Sequence, residues 1–215
     1  MGLRSKIEKA VICLRSVPTW VAMSTDSSYL RTTGWLQNRS LRMPRDVRGD
    51  PIPWMTYPSL FFLESRVHRE MSVFEFGSGG STLWWARRVR RVVSCEHDKS
   101  WFGQMQPLLP ALVEFHHVAL EDGQYSAEIL KYQSAFDIVV IDGRDRVNCA
   151  RNSLEALKPD GVVLWDNSDR DEYREGYEFL ERNRFRRIDF AGMGPLNVYQ
   201  WTTSIFYRDR NCLGL

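Results

Sequence analysis

Two apolar runs each close on an aspartate, and this pattern constrains the fold more than any other feature of the chain. They are Phe136-Asp-Ile-Val-Val-Ile-Asp142 and Gly161-Val-Val-Leu-Trp-Asp166, the second followed directly by Asn167. Such unbroken runs suit strands covered on both faces, as parallel strands are. Ser72–Phe76, Arg91–Glu96 and Val113–Ala119 precede them, and Phe185–Phe190 and Thr203–Tyr207 follow. Helical patterns lie between, at about 81–90, 98–108, 124–132, 147–157 and 171–183. The alternation predicts an α/β, doubly wound, mostly parallel sheet with right-handed crossovers. Only a loop separates the last two strands, so the final pair is expected to be antiparallel. Ligands of such sheets bind beyond the carboxyl ends of the strands, which brings Asp142, Asp166 and Asn167 to the mouth of a cleft.

At 215 residues the chain suits one domain with a sizeable core. Its net charge of +2 names no partner, but residues 1–50 hold nine Lys or Arg against four Asp or Glu. Further basic clusters fall at Arg87-Arg88-Val-Arg90-Arg91 and at Arg182, Arg184, Arg186 and Arg187. Solvated faces are the plain reading of these; steering of an anionic substrate is the functional one. Cys13, Cys95, Cys149 and Cys212 have no metal-binding spacing, which suits a reducing, cytoplasmic setting. No apolar stretch approaches the ~20 residues of a membrane span, and the N-terminus does not read as a secretory signal.

Leu3, Ile7, Val11 and Leu14 recur at helical spacing, which predicts an amphipathic helix over residues 3–16, stopped before Pro18. Residues 24–58, rich in Ser, Thr, Arg and Pro, read as a long connection with little regular structure. Its Trp35, Trp54 and Tyr57 either cover a pocket or anchor the segment. The boundaries are therefore 1–57 for an N-terminal helical and irregular extension or lid, and 58–215 for the main domain.

The turn Glu75-Phe-Gly77-Ser78-Gly79-Gly80-Ser81-Thr82 joins a strand to a helix. Glycines let the backbone turn tightly beside a ligand, and the helix N-terminus offers free amides. Thr82 replaces the third glycine of the dinucleotide fingerprint, and the lysine of a phosphate-binding loop is missing, so neither NAD nor a nucleoside triphosphate is favoured. Glu96 ends the next strand, where an acid accepts from ribose hydroxyls, and His97 follows it. Glu121 and Asp122 follow the third strand, as adenine contacts or as turn residues.

With these motifs in this order, residues 58–207 resemble the class I S-adenosylmethionine-dependent methyltransferases. The resemblance implies a Rossmann-like sheet of seven strands, the last antiparallel. It assigns the S-adenosylmethionine site to Glu75, Gly77, Ser78, Gly79, Ser81, Thr82, Glu96, His97, Asp122 and Asp142, with Glu121 the alternative to Asp122. The Asp142, Asp166 and Asn167 set is similar to the catechol O-methyltransferase branch, in which matching residues hold Mg²⁺ or Ca²⁺; the alternative is a cofactor contact and a helix cap. That branch carries a lysine base three residues after its first metal aspartate. Asp145 stands there instead, flanked by Arg144 and Arg146, so Asp142 and Asp145 are the catalytic candidates and the base is left open.

The function expected is methyl transfer to a hydroxyl oxygen of a small-molecule or carbohydrate-like acceptor, with metal assistance and an anionic acceptor both left open. Asp169 and Arg170 either reach the reacting centre or belong to a helix-entry turn. His116 and His117 are adjacent in a strand and face opposite ways, which argues against joint metal binding. Trp84 and Trp85 read as core, and Trp101 as core or an adenine cover. The rivals are a nicotinamide-dependent oxidoreductase and a non-catalytic RNA- or protein-binding module. Nucleic acid is disfavoured because the strands lack an aromatic-plus-basic signature, and a homo-oligomer is left open.

Overall fold

The computed structural model describes residues 12, 16–38, 41 and 43–215. The helix expected over 3–16 falls almost wholly outside them. Helix α1 spans Val17–Met23 with Pro18 in its first turn, so this proline opens a helix. Its missing N–H costs nothing there, because the first turn leaves its amides without helical partners. One-turn helices α2 (Tyr29–Thr32) and α3 (Trp35–Asn38) interrupt the segment expected to be irregular. Helix α4 spans Tyr57–Glu64.

The main sheet then unfolds as expected. Strands β1 (Ser72–Phe76), β2 (Arg91–Glu96), β3 (Val113–His117), β4 (Phe136–Ile141) and β5 (Leu157–Asp166) alternate with helices. Those helices are α5 (Gly80–Ala86), α6 (Lys99–Met105), α7 (Gln124–Ala127) and α8 (Arg146–Ser153). Helix α9 (Arg174–Arg182) precedes the hairpin of β6 (Arg186–Gly192) and β7 (Trp201–Tyr207). The seven strands lie in the order β3-β2-β1-β4-β5-β7-β6. Strands β1 to β5 pair in parallel, while β7 is antiparallel to both β5 and β6. The strand order reverses between β1 and β4, and a cleft opens at such a switch point.

Successive side chains alternate between two cores, as the strand period of two requires. Val73, Ile138, Val140, Val162 and Leu164 pack on one face with Trp84, Trp85, Leu60 and Leu63. Phe74, Val139, Ile141, Val163 and Trp165 pack on the other with Tyr125, Cys149 and Tyr177. The N-terminal segment joins the first core through Trp35, Ile52, Met55 and Tyr57. Several arginines of the basic clusters are paired: Arg87 with Asp50 at 2.8 Å and Arg91 with Glu114 at 2.7 Å. Among the described residues, no helix is long and apolar enough to cross a membrane.

Candidate active site

The glycine loop follows β1 directly. Gly77 sits at φ +98°, a conformation that side chains disfavour, and its amide donates to the Cys95 carbonyl at 2.9 Å. Gly80 has a different reason: a Cβ there would lie 2.5 Å from the Ile52 carbonyl oxygen. The N-terminal segment therefore rests on the glycine loop itself. Thr82, which departs from the dinucleotide fingerprint, donates through its hydroxyl to Glu75 Oε2 at 2.5 Å and accepts from the Gly79 amide at 3.0 Å. It holds the acid and the loop together.

Glu75 is buried, and burial pushes its carboxyl up to about 7. Its Oε1 has no hydrogen-bond partner among the described residues. A buried carboxylate oxygen without a donor is costly, and this one belongs to a residue lining a cleft of about 310 Å³. Glu96, at the end of β2, lines the same cleft and accepts from the His97 and Asp98 amides, both at 2.8 Å, and from the Ser78 hydroxyl at 2.9 Å. Gly77, Ser78, Ser81, His97 and Asp142 complete this side of the cleft. His97 Nδ1 approaches Glu96 Oε1 to 3.0 Å without hydrogen-bond geometry. An orphaned acid, an open glycine loop and a fixed acid on the next strand fit an amino acid–nucleoside ligand such as S-adenosylmethionine.

Asp142 lies at the floor where this cleft meets a second cavity of about 550 Å³; Asn167 and Arg170 line both as well. Burial, and then the charge of Asp166, hold the Asp142 carboxyl well above the usual carboxylate range. Its side chain keeps 26% exposure, all the same, because the cleft admits solvent. Burial likewise raises Asp166 to about 6, although its Oδ1 accepts from Thr203 Oγ1 at 2.5 Å and Trp201 Nε1 at 3.0 Å. Asn167 follows at φ +52°, a left-handed conformation that Asn tolerates.

Two expected residues lie elsewhere. Asp122 is exposed at φ +54° in the turn after β3 and does not line the cleft. Asp145 is exposed at φ +48° and accepts from Asn148 at 2.8 Å, away from the cavity floor. The next residue, Arg146, turns inward in its place. It is 7% exposed and donates to the carbonyls of Gly143, Asp142 and Asp166 and to the Asp142 carboxylate. Trp54, expected either to cover a pocket or to anchor its segment, lines the second cavity together with Asn197, Tyr199, Gln200 and Trp201, none of which was expected as a site residue. Trp101 borders the glycine loop and donates to the Ser78 carbonyl at 2.9 Å, while Trp84 and Trp85 are core.

Among the described residues no group of three or more His, Cys, Asp or Glu side chains is arranged to hold a metal ion. The site instead offers a buried carboxylate, Asp166, and a half-buried one, Asp142, that repel one another, with an amide side chain beside them. That donor set is short by one acidic ligand, and one guanidinium, Arg146, faces its two carboxylates, so a single positive charge remains to be supplied.

Residues 74–168 match the family described as Methyltransferase domain. No curated protein matches the chain. Among solved structures, the O-methyltransferase TomG of Streptomyces achromogenes, involved in tomaymycin synthesis and solved in complex with SAM, is 17% identical, covering 83% of this chain and 96% of that one, with a TM-score of 0.56. A methyltransferase from Geobacter sulfurreducens is 17% identical over 90% of this chain and 96% of its own, with a TM-score of 0.52. A methyltransferase-like protein from Silicibacter pomeroyi is 21% identical over 73% of this chain and 89% of its own, with a TM-score of 0.51. At such identities the likeness is one of fold. The matched domain over residues 74–168 and the seven-stranded fold both support a class I S-adenosylmethionine-dependent methyltransferase.

Proposed function

We propose that the protein methylates a hydroxyl oxygen of a small-molecule or carbohydrate-like acceptor. The observation that carries this is the meeting of two cavities at Asp142: one beside the glycine loop, the other open to an acceptor. S-adenosylmethionine supplies a methyl carbon on a sulfonium, whose carbon–sulfur bond breaks as the acceptor oxygen bonds to that carbon and the thioether leaves. The protein's part is alignment, exclusion of water and removal of one proton. Asp142 is the base of this reading when no cation is bound: it borders both cavities, and burial holds its carboxyl above the usual carboxylate range, which makes it the stronger proton acceptor. Arg146 limits that rise and fixes the carboxylate's orientation.

Asp142, Asp166 and Asn167 would hold a hard divalent cation such as Mg²⁺ or Ca²⁺, which would orient an acceptor oxygen and make its hydroxyl more acidic. Glu75 and the glycine loop would hold the amino-acid end of the methyl donor, and Glu96 its ribose. The nicotinamide alternative is disfavoured because Thr82 is committed to Glu75 where a dinucleotide site needs glycine. Calorimetry with S-adenosylhomocysteine tests the reading: saturable binding is expected, with Asp142→Asn retaining it and losing turnover. NADH fluorescence enhancement with no S-adenosylhomocysteine binding would overturn it.

A further inference from the structure

The acceptor cavity carries two large aromatic side chains left in water. Trp54 is 47% exposed and Tyr199 62% exposed, in a molecule that buries Trp84, Trp85 and Trp165 almost completely. Both line the 550 Å³ cavity. Trp54 is also held still: its Nε1 donates to Asn197 Oδ1 at 2.7 Å, and the Asn197 carbonyl in turn accepts from the buried Trp35 at 3.0 Å. With its one donor committed, the indole offers the cavity only an apolar surface. Tyr199 packs edge-to-face on Trp201 with ring centroids 6.2 Å apart. Exposed apolar surface rimming a concave polar site marks a contact for a ligand.

The rest of the lining decides which ligand. Asp142, Asp166, Asn167, Asp169 and Gln200 make the wall rich in hydrogen-bond acceptors, with Arg170 its one cationic side chain among the described residues. A flat aromatic diol has two hydroxyls, so seating it there would strip water from polar groups it cannot satisfy. A sugar ring has an apolar C–H face for an aromatic platform and hydroxyls around its edge for carboxylates and amides. Resting on the methyl-transfer reading above, we infer that the acceptor is a sugar ring of a glycoside. Its C–H face lies against Trp54 and Tyr199, its hydroxyls pair with Asp169 and Gln200, and one hydroxyl is offered to Asp142. That hydroxyl oxygen gains the methyl carbon, the carbon–sulfur bond breaks with its electrons kept by the departing thioether, and the hydroxyl proton is released to solvent.

The test uses methyl glycosides of gluco, galacto, manno and rhamno configuration, with catechol as the aromatic comparison. Binding is measured by calorimetry on the full chain saturated with S-adenosylhomocysteine, and turnover by S-adenosylhomocysteine release. At least one glycoside is expected to bind saturably and be methylated. Trp54→Ala and Tyr199→Ala should each weaken glycoside binding about tenfold, with Trp54→Phe recovering part of the loss. Tyr199→Ala, outside the glycine-loop cleft, should leave S-adenosylhomocysteine affinity unchanged. Catechol methylated with every glycoside inert overturns the inference and leaves the methyltransferase reading standing. So does glycoside binding indifferent to both alanine variants, or no glycoside binding to protein that binds S-adenosylhomocysteine. Failure to bind S-adenosylhomocysteine removes the reading beneath and the inference with it.

Discussion

Arg146 ties itself to Asp142 twice, donating to its main-chain oxygen at 3.1 Å and to its carboxylate Oδ1 at 3.2 Å. The same guanidinium donates to the Gly143 carbonyl at 3.0 Å and to the Asp166 carbonyl. One buried cation thus clips the carboxyl ends of β4 and β5 and sets the spacing of the two acids.

Arg146→Met should therefore destabilise the fold by about 2–4 kcal/mol, through orphaned carbonyls and an acid left without its cation. Urea unfolding measures this. Because Arg146 lowers the Asp142 carboxyl, its loss should also move the acid limb of kcat/KM to higher pH. A limb that stays put in Arg146→Met would remove Asp142 from the role of base.

Glu75 gives a second pH signature. Its folded pKa of about 7 lies above the ordinary 4.5, so between those values the native state binds the proton and the unfolded chain does not. The stabilisation present below the unfolded value is thus lost as pH rises through 7. From pH 5.5 to 8 this group alone should cost roughly 2 kcal/mol, and Glu75→Gln should flatten that part of the profile. Donor binding should respond oppositely, since a ligand ammonium prefers the ionised acid: S-adenosylhomocysteine affinity is expected to rise as pH passes 7. Identical slopes in wild type and Glu75→Gln would contradict both expectations.

The fold was legible because its strands are apolar on both faces. Val139 and Val140 enter different cores, so neither can be polar, and β4 stands out in the chain. The glycine loop and Glu96 were legible because backbone geometry demands them locally. Asp145 and Arg146 show where such reading stops. Helical residues differ by about 100° in direction, and sequence spacing alone does not say which of two neighbours faces the floor. Trp54 and Asn197 meet across 143 positions, through two segments without periodicity, and only tertiary packing joins them. Tyr57 and Trp35 proved to be anchors, whereas Trp54 opens onto the cavity.

The acid pair predicts a response to cations. Burial raises the carboxyls of both Asp142 and Asp166, the charge of Asp166 raises Asp142 further, and the Arg146 guanidinium lowers both. If Mg²⁺ is the further charge they accept, EDTA should lower turnover at least about tenfold and Mg²⁺ should restore it. Asp166→Asn should abolish the Mg²⁺ response while S-adenosylhomocysteine binding persists. Full turnover in EDTA would show that the pair works without a divalent ion.

The N-terminal segment supplies the last prediction. Ile52 passes so close to Gly80 that a methyl group there would meet its carbonyl, and Trp35, Met55 and Tyr57 are buried in the same core as Trp84 and Trp85. Ile52 thus covers the glycine loop while Trp35, Met55 and Tyr57 fill the sheet's first face. We propose that they stay seated during turnover, with selection of the acceptor left to the exposed rim at Trp54. Trp35→Ala should cost about 3–5 kcal/mol by urea unfolding, since it removes a large buried side chain and the donor to Asn197. Gly80→Ala should weaken S-adenosylhomocysteine binding without touching any charged group, because the added methyl forces Ile52 or the loop to shift. A chain beginning at Pro58 loses all these contacts and should show no cooperative unfolding. Should that shortened chain unfold cooperatively and bind S-adenosylhomocysteine as tightly as the full one, the segment would be a detachable cover after all.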